Sequence, residues 1–204
     1  MIKKFYDLGK LNQPYKKKFL RHVGKIFNSG FYISGKYVNL FEKNFSKFNK
    51  SKYSIAVGNG YDAIRLSLEL FKYKKICNLG DEVIVPANSY IATILPVDAC
   101  GLKPIFVEPE KNGFNIDPTV LEKKITKKTK VLIVTHLYGH IAEMDAILKI
   151  TKKYNLKVIE DCSQAHGAKY KKKNSGNFGD MGCFSLFPSK NLGAIGDAGI
   201  ITTN

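Results

Sequence analysis

The amino-acid sequence predicts an α/β fold, a parallel sheet with helices on both faces, and three observations carry that prediction. From residue 53 onward, short apolar runs alternate regularly with segments of helical period. Glycine turns and a proline stop bound the runs, as chain reversal requires. The conspicuous polar residues fall just past the runs, at the strands' carboxyl ends, where open α/β sheets gather ligands. With 204 residues, 44% of them hydrophobic, the chain can bury one substantial core.

Residues 11 to 28 carry Leu11, Tyr15, Phe19, Val23 and Phe27 at near four-residue steps, an amphipathic helix closed by Asn28-Ser29-Gly30. A second helix begins at Tyr37, with Phe41, Phe45 and Phe48 as one stripe that suits core packing better than a ligand role. Tyr53 to Val57 then reads as a strand, Gly58-Asn59-Gly60 as a tight turn and Tyr61 to Phe71 as a helix. Free amides at that helix start can hold an anion, although many α/β proteins use such a turn for topology alone. Val83 to Val85 is a buried strand stopped by Pro86. Asn88 to Cys100 follows as a helix opened by an Asn-Ser cap, with Tyr90 in its first turn as a stacking ring or as edge packing. Strands at Lys103 to Val107, Val131 to Thr135 and Lys157 to Glu160 alternate with helices at Asp117 to Ile125 and Ile141 to Tyr154. Asp161 leaves the last of these strands and needs a partner; an N-cap or a structural ion pair would serve it as well as a site would. His136, His140 and His166 lie at similar places and can equally be satisfied polar residues. Asp180 to Phe187 and Ala198 to Thr203 complete the strands.

A net charge of +16 raises the question of nucleic acid. The excess is nearly all lysine, scattered over helix faces and loops. Only Arg21 and Arg65 offer the planar fork that base readers and phosphate clamps favour, so no specific nucleic-acid partner is expected. A positive field would still help to capture a small anionic substrate. No run of eighteen apolar residues and no apolar signal region in MIKKFYDLGK occurs, so no membrane partner is expected and the default location is cytoplasmic. Cys77, Cys100, Cys162 and Cys183 form no CxxC pair, so they read as reduced, mostly buried thiols, and no metal site is expected.

Lys190 stands apart among 31 lysines. It follows the apolar run Cys183 to Phe187 and precedes Gly193, Gly196 and Gly199, surroundings that desolvate an amine and let backbone approach a ligand. Together the strand ends offer a phosphate cradle at Gly60 and Tyr61, a ring at Tyr90, an acid at Asp161, a hydroxyl at Ser185 and the Lys190 amine. Pyridoxal 5'-phosphate uses all five: the cradle and the hydroxyl as its phosphate site, the ring as a stacking partner, the carboxylate for the pyridine nitrogen and the lysine for the Schiff base. Nicotinamide fits worse, because no GxGxxG follows a strand.

The stretches SGKYVNLFEKNFSKF, VGNGYDAI, GDEVIVPANSYIAT, GLKPIFVEP, VTHLYGH, IEDCSQAHGA and FSLFPSKNLGAIGDAG resemble, in order and spacing, the DegT/DnrJ/EryC1/StrS sugar-nucleotide aminotransferases of the fold-type I pyridoxal phosphate enzymes. The resemblance implies a three-layer αβα large domain on a mostly parallel seven-stranded sheet. Residues 1-50 would form an N-terminal helical segment and 51-204 the cofactor-binding domain. It implies that Lys190 anchors the cofactor and acts as the base, Asp161 holds the pyridinium proton, and Gln164 contacts the ring hydroxyl side. Tyr90 would stack on the ring, and Gly60, Tyr61 and Ser185 would hold the phosphate. Retention of lysine, where a dehydratase branch has histidine, favours transamination.

Two departures from the family pattern stand out. Where many relatives have Ser-Gly-Thr, this chain has Asn59-Gly60-Tyr61, so a phenol replaces a hydroxyl at the phosphate. The family also continues into a smaller C-terminal domain that closes over the substrate, and this chain stops at Asn204. The resulting expectation is transfer of an amino group, from glutamate, to a keto sugar nucleotide of the dTDP-3-keto-6-deoxyhexose type, in a protein that is homodimeric at full length. The rivals are a truncated, non-catalytic remnant and, behind it, a basic nucleic-acid-binding module.

Overall fold

The computed structural model describes residues 6–204. The chain divides into a unit ending at Phe41 and a unit of Glu42–Asn204. In the first, α1 (Leu8–Asn12) is capped by Asp7, whose carboxylate accepts from the Lys10 amide at 3.0 Å. A 3-10 turn at Gln13–Tyr15 leads into α2 (Lys16–Ser29). The single helix expected over residues 11 to 28 is therefore divided, because Pro14 has no amide to donate and is tolerated only in a first turn. Gly30, at φ +70°, closes α2 in the left-handed region that glycine occupies freely. Helix α3 (Lys36–Asn49) follows, and in its second half Phe45 is buried edge-on against Phe184, ring centroids 5.1 Å apart.

The second unit carries β1 (Tyr53–Val57), α4 (Gly60–Tyr73), β2 (Glu82–Pro86), α5 (Ile91–Ala99), β3 (Lys103–Val107), α6 (Pro118–Leu121), β4 (Thr129–Thr135), α7 (Met144–Lys153) and β5 (Lys157–Asp161). A small hairpin of β6 (Lys169–Tyr170) and β7 (Lys173–Asn174) precedes β8 (Met181–Ser185) and β9 (Gly199–Thr203). Seven strands form one sheet in the order β1-β9-β8-β5-β4-β2-β3. Every pairing is parallel except those of β9, which runs against both β8 and β1. No helix lies between β8 and β9, so the chain can only turn back and pair antiparallel. That return loop carries Lys190.

Side-chain alternation along the central strands fills a core on each face of the sheet, the three-layer αβα arrangement that the resemblance implied. Val83, Val85, Val131, Ile133 and Ile159 pack with Ala63, Ile64, Leu68 and Val97 of α4 and α5. Ile84, Leu132, Val134 and Val158 point the other way, onto Leu121, Met144 and Ile147 of α6 and α7. Strands buried on both faces read as unbroken apolar runs, which is why β4 and β2 were legible. Among the described residues all four cysteines are free and buried, and burial raises their thiols, Cys77 to about 11 and Cys100 to about 12. No helix of the described residues is long and apolar enough to cross a membrane.

Candidate active site

The carboxyl ends of β1, β4, β5 and β8 surround a cavity of about 430 Å³. Gly60, Tyr61, Tyr90, Asp161, Gln164, Ser185 and Lys190, the residues singled out in the sequence, all line it. So do Asn59, Thr93, Thr135, Ser163 and Asp197, which sequence reasoning missed.

One wall is the start of α4. Asn59 caps the helix: its side-chain oxygen accepts from the Asp62 amide at 2.8 Å, and its carbonyl from the Ala63 amide at 3.1 Å. The amides of Gly60 and Tyr61 keep no partner among the described residues. They point from the positive end of a 14-residue helix, where an anion is favoured. Position 60 admits only glycine, because a Cβ there would lie 2.7 Å from Ser185 Cβ and 3.3 Å from Ser163 Oγ. The cradle is therefore formed by close approach of α4 to β8, with both serines beside it.

At the base, Asp161 is 5% exposed. Its Oδ1 accepts from the Ser163 amide at 3.1 Å and its Oδ2 from the Thr93 hydroxyl at 2.7 Å. Thr135, its register partner on β4, is buried with a hydroxyl that has no partner, so the floor holds an unspent polar atom beside the acid. Gln164 has its amide oxygen committed to the Tyr138 amide at 2.7 Å, which leaves its NH₂ end, a donor, for the cavity. Tyr138 makes that bond from a left-handed conformation, φ +55° and ψ +22°, a cost tolerated where the surroundings fix it.

Tyr90 does not lie in the first turn of a helix begun at Asn88. It is the residue before α5, in extended backbone, and it is 70% exposed. The expected Asn-Ser cap is spent elsewhere: the Ser89 hydroxyl donates to the Pro86 carbonyl and the Asn88 amide to the Phe114 carbonyl. Lys190 is half-buried on the loop between β8 and β9, its backbone amide bonded to the Phe187 carbonyl at 2.8 Å. Its amine makes no hydrogen bond or ion pair with any described residue. Gly193 lets the loop fold back, since a Cβ there would sit 2.3 Å from the Pro188 carbonyl oxygen.

Glu160 escaped the sequence reading, and His136 and His166, named there as polar residues that could simply be satisfied, differ in their surroundings. Glu160, adjacent to Asp161 but facing the opposite side of the sheet, is fully buried. It accepts from the amides of Phe178, Gly179 and Gly176 and pairs with His136 Nε2 at 2.9 Å. The Ala142 amide donates to His136 Nδ1, which puts the ring proton on Nε2. Glu160, His136 and Cys162 bring one ligating atom each within 4.8 Å, but the carboxylate is already shared among backbone donors. His166 is packed on Phe184, ring centroids 5.4 Å apart; burial, aided by the Lys190 charge, pushes it down to about 4. The one clue in the sequence was an acid inside the apolar strand VIED.

Residues 13–204 match the DegT/DnrJ/EryC1/StrS aminotransferase family. The chain is 50% identical over 200 residues to the dTDP-3-amino-3,6-dideoxy-alpha-D-galactopyranose transaminase of Aneurinibacillus thermoaerophilus, covering 98% of this chain and 54% of that protein. It superposes on Streptomyces venezuelae DesV, solved in complex with a ketimine intermediate, with a TM-score of 0.93 at 36% identity, over 98% of this chain and 53% of that one. It also superposes on Bacillus subtilis NtdA with bound cofactor PMP, with a TM-score of 0.90 at 37% identity, over 98% and 45%. The chain spans about half the length of the curated relatives it matches.

Proposed function

The chain belongs to the DegT/DnrJ/EryC1/StrS aminotransferase family, and on that premise we propose that its cavity holds pyridoxal 5'-phosphate and that residues 51-204 are the cofactor-binding domain of an aminotransferase. The reaction is transfer of an amino group from glutamate to a nucleotide-linked keto sugar, a dTDP-3-keto-6-deoxyhexose, in the cytoplasm and in a homodimer. The observation that carries the reading is the convergence on one cavity of a partner-free lysine, a buried acid and a helix start with two unspent amides. The C3 position is supported by the 3-amino sugar named for the A. thermoaerophilus relative.

The residues present fit the cofactor. The Gly60 and Tyr61 amides and the Ser185 hydroxyl would hold its phosphate; the loss of a hydroxyl at position 61 leaves the amides as the main grip. The donor end of Gln164 suits the ring oxygen, and Tyr90 covers one ring face. Asp161 would keep the proton on the ring nitrogen. When bound, the cofactor supplies an aldehyde for covalent attachment and a ring that withdraws electrons from the amino-acid carbon. The Lys190 amine, at the cavity wall without a protein partner, is the covalent anchor and, once free, the base that takes the proton from the donor's α-carbon.

The test is absorbance plus product analysis. The chain mixed with pyridoxal phosphate develops a visible band that Lys190→Ala abolishes, and glutamate then aminates a dTDP-3-keto-6-deoxyhexose, seen by mass. Lys190→Ala lowers that amination by at least about 10³-fold. Absence of a lysine-dependent band sinks the cofactor reading; a band without amination leaves a cofactor-binding remnant.

A further inference from the structure

Resting on the cofactor reading above, we infer that Thr93 is a positioning residue: its hydroxyl sets the orientation of Asp161 toward the cofactor's ring nitrogen and ties that acid to the turn that presents Tyr90.

Thr93 is 1% exposed, in a helix start otherwise made of Ile91, Ala92, Ile94 and Leu95. A buried hydroxyl in an apolar helix is costly unless it has a partner. Its one side-chain bond is to Asp161 Oδ2, at 2.7 Å and across 68 residues of sequence. An ionised carboxylate only accepts, so the hydroxyl is the donor. The Ser163 amide holds the other carboxylate oxygen at 3.1 Å. With one fixed donor on each oxygen, the carboxylate cannot turn about its last torsion without giving up a charge-assisted bond.

The same residue reaches Tyr90. The Thr93 amide donates to the Tyr90 carbonyl at 2.9 Å, closing the first turn of α5. Hydroxyl and amide of Thr93 thus link the acid at one edge of the slot to the ring that covers it, joining α5 to β5 across the sheet face. Valine would fill the same volume and keep the amide bond, but would leave Asp161 Oδ2 without its donor.

The experiment compares Thr93→Val with Thr93→Ser in the chain reconstituted with pyridoxal phosphate. Thr93→Val is expected to weaken cofactor binding about tenfold, by absorbance titration, and to shift the lysine-dependent visible band. Thr93→Ser returns both to within about threefold of the unsubstituted chain, a rescue that volume alone does not give. The melting temperature of each cofactor-free variant reports on folding. If Thr93→Val does not melt cooperatively, Thr93→Cys, of similar size and with a weaker donor, is compared instead and is expected to bind the cofactor more weakly than Thr93→Ser; binding equal to wild type with an unmoved band in that variant overturns the inference. Binding within twofold of wild type with an unmoved band in the folded variant overturns the inference. No Lys190-dependent band in the unsubstituted chain overturns the cofactor reading first and the role of Thr93 with it.

Discussion

Glu160 and Asp161 are neighbours on β5, both buried, and their surroundings differ in kind. Glu160 lies on the α7 face, where three backbone amides at 2.6 to 2.8 Å and His136 Nε2 at 2.9 Å take up its oxygens. Asp161 faces the cavity, where it has two protein donors, an unpartnered threonine hydroxyl beside it and a partner-free lysine on the same wall. Each acid also has a histidine in its region: His136 is bonded on both nitrogens, whereas His166 is held near Lys190 by packing and kept neutral by burial. An acid surrounded by protein donors organises the chain. One with a side left open is arranged for something that enters from outside. Burial alone does not separate the two cases; the count of donors does.

That contrast can be broken from either side. The largest effect belongs to Glu160→Ala, which strands His136 and three amides; it is expected to cost about 3–5 kcal/mol of folding stability, read as a lowered denaturant midpoint. The amination rate per folded molecule should change little. Asp161→Asn should do the reverse, lowering amination about 10²-fold or more while the melting temperature of the cofactor-free chain moves by only a few degrees. A large loss of stability in Asp161→Asn, or of intrinsic rate in the folded Glu160 variant, would merge the two acids into one class. The smallest effect is on pH. His166 protonates near 4 when folded and near its ordinary 6.5 when unfolded. Its contribution is therefore complete above about 6.5, declines as pH falls toward 4, and is constant below that. Such a shift is worth up to roughly 3 kcal/mol; with the ring partly exposed, about 2 kcal/mol should disappear across that window, and His166→Phe should flatten the slope. An unchanged slope in that variant would assign the acid sensitivity elsewhere.

The sheet was legible because strands buried on both faces leave unbroken apolar runs, and the seven cavity residues because α/β sheets collect function at strand ends. Helix starts were less so. Asn88 and Ser89 have the composition of a cap, yet their hydrogen bonds go to Phe114 and Pro86, so α5 begins three residues later. Pro14 divided a helix whose apolar spacing alone looked continuous. The partners of Thr93 and Glu160 could not be read at all, since a hydroxyl 68 residues from its acceptor leaves no local pattern. Period two along β5 did imply that residues 160 and 161 face opposite ways.

The placement of β9 between the edge strand β1 and β8 also bears on the order in which the sheet can form. Strand β1 has a single neighbour in the sheet, and that neighbour pairs Tyr53 with Thr203, about 150 residues later. Joining them costs roughly 4 kcal/mol of loop-closure entropy, which nothing offsets until the pairing itself forms. Gly199 of β9 lies so close to the Asn59 turn that a Cβ there would be 2.3 Å from the Asn59 carbonyl oxygen. A chain emerging from the ribosome can thus align β2 to β5 and bury much of both cores while the turn at Gly60 still lacks its support. Within residues 53–204 the anion cradle therefore gains its support only when β9 pairs, so a bound anion meets strands that have already had the chance to align.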